Sequence, residues 1–93
     1  MPASIRVEPS GSGRFQVTVM EGASQSTHTV SLSPDYYQKL TRNQVSQEVL
    51  IERSFQFLLE NEPRESILRE FDLPLIGRYF PEYEREIRRR LGT

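Results

Sequence analysis

"SQEVLIERSFQFLLEN", residues 46–61, decides how this chain is built. Ser46 suits a helix N-cap, because its hydroxyl can accept from the open N–H groups of the first turn, and Glu48 then lies near the positive end of the helix dipole. At about 100° per residue, Leu50, Ile51, Phe55, Phe57, Leu58 and Leu59 spread over an arc of about 200°. Glu52, Arg53, Gln56 and Glu60 share the strip that is left. One neighbour cannot cover so wide an arc. The helix over 46–61 is therefore expected at the centre, with a layer on each side.

The first third of the chain supplies one layer. In "RFQVTVM" Phe15, Val17 and Val19 alternate with Gln16 and Thr18, the period-two pattern of a strand with one buried face. "SIRVEP", with Ile5 and Val7, and "THTVSLS", with Val30 and Leu32, repeat it in shorter form. "PSGSG" and "EGASQS" between them carry the Gly and Ser of tight connections. These features predict a three-stranded antiparallel meander.

The second layer is expected from "FDLPLIGRYFPEY", residues 71–83. Pro34, Pro63, Pro74 and Pro81 each stand where a helical pattern begins, and proline suits the first helical position because its missing N–H would find no partner there. In "FPEYEREIRRRL" Phe80, Tyr83, Ile87 and Leu91 recur at spacings of three and four, one face of a helix against a charged remainder. The aromatic cluster then closes the far side of the central helix. The expected fold class is α+β: one domain over 1–93, with a three-stranded antiparallel meander within 4–33 followed by about four helices within 34–91.

Composition narrows the function. The chain has no cysteine, which removes disulfides, thiol nucleophiles and thiolate metal sites and favours a reducing compartment. Met1 to Arg14 holds no apolar run of the kind a signal peptide uses, and nowhere do about 18 apolar residues run together. A cytoplasmic protein without a membrane partner is expected. The 12 basic and 13 acidic side chains nearly cancel, so no overall field draws the protein to nucleic acid.

Catalytic constellations are hard to assemble. His28 is the only histidine, on the same side of its strand as Val30 and Leu32, and it reads as a strand histidine near the sheet edge. A metal site or a catalytic triad needs further ligands or a nucleophile beside it. "SGSG" at 10–13 lacks the Gly-Lys-Ser/Thr of a phosphate loop and reads as a hairpin connection. Glu82, Glu84 and Glu86 beside Tyr83 and Arg85 read as solvated charge on a helix face. No enzyme and no cofactor are expected. Arg85, Arg88, Arg89 and Arg90 form the one basic concentration, a candidate patch for an acidic partner or nucleic acid, although basic residues in a last helical turn also complement the helix dipole.

"DYYQKLT", "FLLENEP", "ESILREFDL" and "RYFPEYE" together resemble a family of small bacterial proteins with no assigned function, over residues 28–87. That resemblance implies no activity and no site residues. Residues 27–60 are similar in layout to a ribbon-helix-helix DNA-binding domain: the strand "THTVSLS", the helix "PDYYQKL", the turn "TRNQV" and a second helix capped by Ser46. The resemblance implies a dimer whose strand presents Thr27, Thr29 and Ser31 to base edges, with Ser46 and Gln47 clamping the DNA backbone. Three small hydroxyls would discriminate bases weakly, and the segment is not basic overall.

The leading expectation is a non-enzymatic bacterial protein, monomer or homodimer, that works as a protein-interaction or regulatory module. The alternative is a dimeric ribbon-helix-helix-like DNA-binding regulator. The preferred interaction surface is the outer side of Arg78, Tyr79, Phe80 and Tyr83, where amphipathic rings would suit an interface. The competing one is the exposed edge of the first or the third strand.

Overall fold

Three strands run as a meander, β1 (Ser4–Gly11), β2 (Arg14–Glu21) and β3 (Ser24–Ser31), and a fourth, β4 (Glu70–Asp72), joins the sheet in the order β1-β2-β3-β4. The structure is a computed structural model and describes residues 3–92. The first two pairings are antiparallel and β4 lies parallel to β3. A parallel neighbour needs a long crossover, and here the crossover is helical. It runs through α1 (Pro34–Thr41) and α2 (Gln47–Asn61), and α3 (Leu75–Tyr79) and α4 (Tyr83–Leu91) follow β4.

Alternation in β2 does what the sequence predicts: Phe15, Val17 and Val19 are buried while Arg14 and Gln16 are exposed. In β3 the buried set is His28 and Val30, with Leu32 just beyond. The β1–β2 hairpin turns at Ser12 and Gly13. Gly13 has φ of 68°, and a Cβ there would stand 3.2 Å from the carbonyl oxygen of Leu32, so a side chain is opposed by both torsion and contact. Its own carbonyl accepts from the N–H of Leu32 at 2.8 Å.

The first two helices begin as their residues suggest. The hydroxyl of Ser33 accepts from the N–H of Tyr36 ahead of α1, and that of Ser46 accepts from the N–H of Val49 ahead of α2. Pro34 opens α1, and Pro74 stands immediately before α3. Pro63 opens only a single 3-10 turn, Arg64–Ser66, rather than a helix.

The central position of α2 is explicit in its two phenylalanines. Phe55 looks toward the sheet, with ring centroids 5.5 Å from His28 and 6.0 Å from Phe71 of β4. Phe57 looks the other way, 5.7 Å from Phe80 and 5.5 Å from Tyr83. The 71–83 cluster is thus divided by α2. Phe71 fills the sheet side, Phe80 and Tyr83 close the opposite side, and Tyr79 stands in solvent.

Two sequence expectations need correction. The edge of the third strand is open over only part of its length, because β4 pairs with it through Thr29, Val30 and Ser31. His28 is accordingly an interior residue, 1% exposed, rather than an edge one. Both corrections come from β4, a strand whose three residues are too few to show an alternation.

Candidate interaction surface

Leaving α2, the chain turns at Pro63, forms the 3-10 turn and runs into β4, and this return leaves a groove against α3. The groove encloses about 240 Å³. Leu58 and Glu62 from the end of α2, Ile67 and Phe71 from the return, and Leu75, Ile76 and Phe80 from the α3 region line it. Leu68 and Tyr79 stand on its rim. Their exposures, 47% and 65%, make them the exposed large hydrophobic residues among those described. Both therefore border one concavity.

The rim is held from beneath. His28 Nδ1 lies 2.7 Å from the carbonyl oxygen of Leu68, and Nε2 lies 2.8 Å from the Ser26 hydroxyl. A carbonyl can only accept, so Nδ1 carries the proton and Nε2 accepts from Ser26 in the neutral ring. Burial holds the pKa of the ring below its ordinary value, and the charges of Arg69 and Arg64 act in the same direction against the favourable carbonyl of Leu68. Arg64 of the 3-10 turn is anchored in turn to Glu21 at the end of β2, Nε to Oε1 2.9 Å. At the far end of the groove, burial raises the pKa of the Glu62 carboxyl.

The four residues expected to form the surface divide. Arg78 is exposed beside Tyr79, and Phe80 is half-buried in the groove wall. Tyr83 belongs to the core: it is fully buried, and its hydroxyl lies 2.6 Å from Ser54 Oγ. It offers nothing to a partner. Leu68 completes the surface in its place, and its exposure follows from the β4 pairing, which no local pattern announces.

The basic concentration is largely committed within the chain. Arg90 makes a two-pronged pair with Glu60, at 2.6 and 3.0 Å, reaches Glu86 and lies over the ring of Phe57. Arg89 pairs with Glu86, whose carboxyl this holds below the usual carboxylate range, and Arg88 donates to the carbonyl of Lys39 at 3.3 Å. Arg85 is the exposed member that makes no such pair. Of the neighbouring acids, Glu84 accepts from the Tyr36 hydroxyl at 2.9 Å and pairs with Lys39.

Thr27, Thr29 and Ser31 are half-exposed on the open side of the sheet. Their strand is paired on one side with Thr18, Gln16 and Arg14, and on the other side Thr29 and Ser31 face Glu70 and Asp72. An intersubunit ribbon through Thr29 and Ser31 has no edge to use, because β4 occupies it. Among the described residues no cluster of three or more His, Cys, Asp or Glu side chains converges as a metal site would, and no helix is long and apolar enough to cross a membrane.

Compared with known proteins, the chain matches no family model, no curated protein and no solved structure.

Proposed function

We propose that the protein is a non-enzymatic interaction module of the bacterial cytoplasm, and that it takes an apolar segment of a partner protein into the groove between the end of α2, the return to β4 and α3. One observation carries this reading: Leu68 and Tyr79, the exposed large hydrophobics, rim the same apolar concavity. Such residues cost solubility when they serve no contact, and a rimmed apolar patch is the usual form of a protein-binding site. Tyr79 has the character of an anchor, a large ring with a polar tip that gives up little side-chain freedom on binding. Arg78 beside it adds a charge that can set the orientation of the bound segment.

The reading is tested by selecting displayed random peptides on the immobilised protein and mapping the selected sequences by amide chemical shifts. Peptides that carry apolar anchors and perturb residues 58–80 are expected, with affinity reduced about tenfold or more by Tyr79→Ser. Peptides that perturb only other faces, or that bind the Tyr79→Ser and Leu68→Ser variants as well as the parent, would overturn it.

A further inference from the structure

We propose that the free edge of β1 is a homodimer interface, in which two copies pair antiparallel about a two-fold axis through Val7 and form one continuous eight-stranded sheet. The first step is to find which backbone groups face outward. Thr29 N–H donates to the carbonyl of Arg69, and the Ser31 carbonyl accepts from Leu73 N–H, so these two residues turn their backbone groups toward β4. Alternate residues face opposite sides of a strand, so Ser26, His28 and Val30 bond to their partners on β2, namely Val19, Val17 and Phe15. Gln16, Thr18 and Met20 then face β1 and bond to Glu8, Arg6 and Ser4. The groups left on the open edge are the N–H and carbonyl of Ile5 and of Val7, and the carbonyl of Pro9.

The second step is the side chains. Ile5 and Val7 point to the core side yet are only half-buried, whereas their β2 partners Val19 and Val17 are fully buried. Beneath them, Val49, Glu48 and Glu52 of α2 complete a shallow notch of about 180 Å³ at the sheet edge. The layer is unfinished there, and a further strand would cover it.

The third step selects the occupant. An exposed edge is commonly guarded by charges and by proline, and β1 carries Arg6, Glu8 and Pro9. With Val7 on a two-fold axis, Arg6 of each copy lies directly opposite Glu8 of the other, twice per interface. The guards against other strands thus become a match for a second copy. Displacing the axis to Arg6 sets the two arginines face to face, and displacing it to Ile5 leaves Arg6 opposite Ser4 with no charge paired. Val7 exchanges two hydrogen bonds with its copy, and Ile5 donates to the carbonyl of Pro9. Only the proline lacks a donor, and it lies at the end of the ladder.

The test is solution mass by light scattering coupled to size exclusion at low salt, on the full chain at roughly 100 micromolar, enough to populate an interface at the small end of the range. The expected mass is twice the 10.9 kDa of the chain. Arg6→Glu and Glu8→Arg each place like charges opposite one another twice, and should raise the dissociation constant by roughly tenfold or more. The double exchange of Arg6→Glu with Glu8→Arg restores the match and should recover the dimer. Both positions are exposed, and circular dichroism confirms that each variant is folded. A monomeric parent protein overturns the proposal, as does a dimer indifferent to the single reversals or one that the double exchange fails to restore.

Discussion

His28 on β3 and Leu68 on the return to β4, forty positions apart in the chain, are joined by a hydrogen bond of 2.7 Å from imidazole Nδ1 to the backbone carbonyl. The bond fixes the backbone of a groove-rim residue while its side chain stays in solvent. Loss of the imidazole should therefore loosen the rim as well as the core. His28→Leu leaves the Leu68 carbonyl without its donor and should cost about 1–3 kcal/mol in urea denaturation.

The same histidine predicts a pH dependence. Its folded pKa lies below the ordinary value of 6.5, so in acid the unfolded chain binds the proton first. The stability associated with the neutral buried ring is present above about pH 6.5 and is lost as pH falls toward the folded pKa, by at most about 1.4 kcal/mol per pH unit. Urea midpoints taken from pH 7.5 down to 5 should show this slope, and His28→Gln should remove it. A parent protein with a flat profile over that range would contradict the assignment of a neutral, buried ring.

Ser54 and Tyr83 predict an asymmetry. The Ser54 hydroxyl donates to the Leu50 carbonyl at 2.8 Å, so its single proton is committed and Tyr83 must be the donor in their 2.6 Å contact. Burial raises the phenol pKa, which keeps that proton in place. Tyr83→Phe removes the donor and leaves Ser54 still bonded to Leu50, for about 1 kcal/mol. Ser54→Ala strands a buried phenol and should cost more, about 1–3 kcal/mol, while the double variant should cost less than the two singles together. Chemical denaturation of the four proteins measures the cycle, and equal, additive costs would show that the contact is not made as described.

How far residues alone reveal this molecule depends on the range of the interaction involved. The strands of the meander and the cap of α2 were legible because hairpin alternation and a capping serine are local signals, carried by Phe15, Val17, Val19 and Ser46. The two-sided burial of α2 was legible from its apolar arc. β4 was not, since "EFD" becomes a strand only through its pairing with Thr29, Val30 and Ser31. The site inherits that limit. Tyr79 and Phe80 could be nominated from composition, and the helical spacing with Ile87 pointed to the buried face for Tyr83, but the exposure of Leu68 is a consequence of where β4 docks.

Arg90 bears on the fate of the basic concentration. Its guanidinium joins α4 to α2 through Glu60 and covers the ring of Phe57, so it contributes packing as well as charge. The pair is partly exposed, which limits its value to about 1 kcal/mol. Arg90→Ala should lower stability by about that amount, whereas Arg85→Ala should lie within about 0.5 kcal/mol of the parent. Thermal denaturation at low and high salt checks both, and a larger loss for Arg85 would reassign the structural role.

Leu68 and Tyr79 supply the prediction that separates function from fold. A core side chain cut back to a small polar one leaves a cavity and buries a hydroxyl; Ile76→Ser, in the groove floor, should therefore cost several kcal/mol, on the order of 3. Leu68→Ser and Tyr79→Ser act on exposed rim positions and should leave stability within about 0.5–1 kcal/mol of the parent while reducing the apolar surface shown to solvent. Urea denaturation, together with binding of a fluorescent hydrophobic probe, separates the two quantities. Rim variants that keep the parent midpoint and lose probe binding are expected of residues retained for contact, and rim variants as destabilised as Ile76→Ser would show instead that Leu68 and Tyr79 hold the fold.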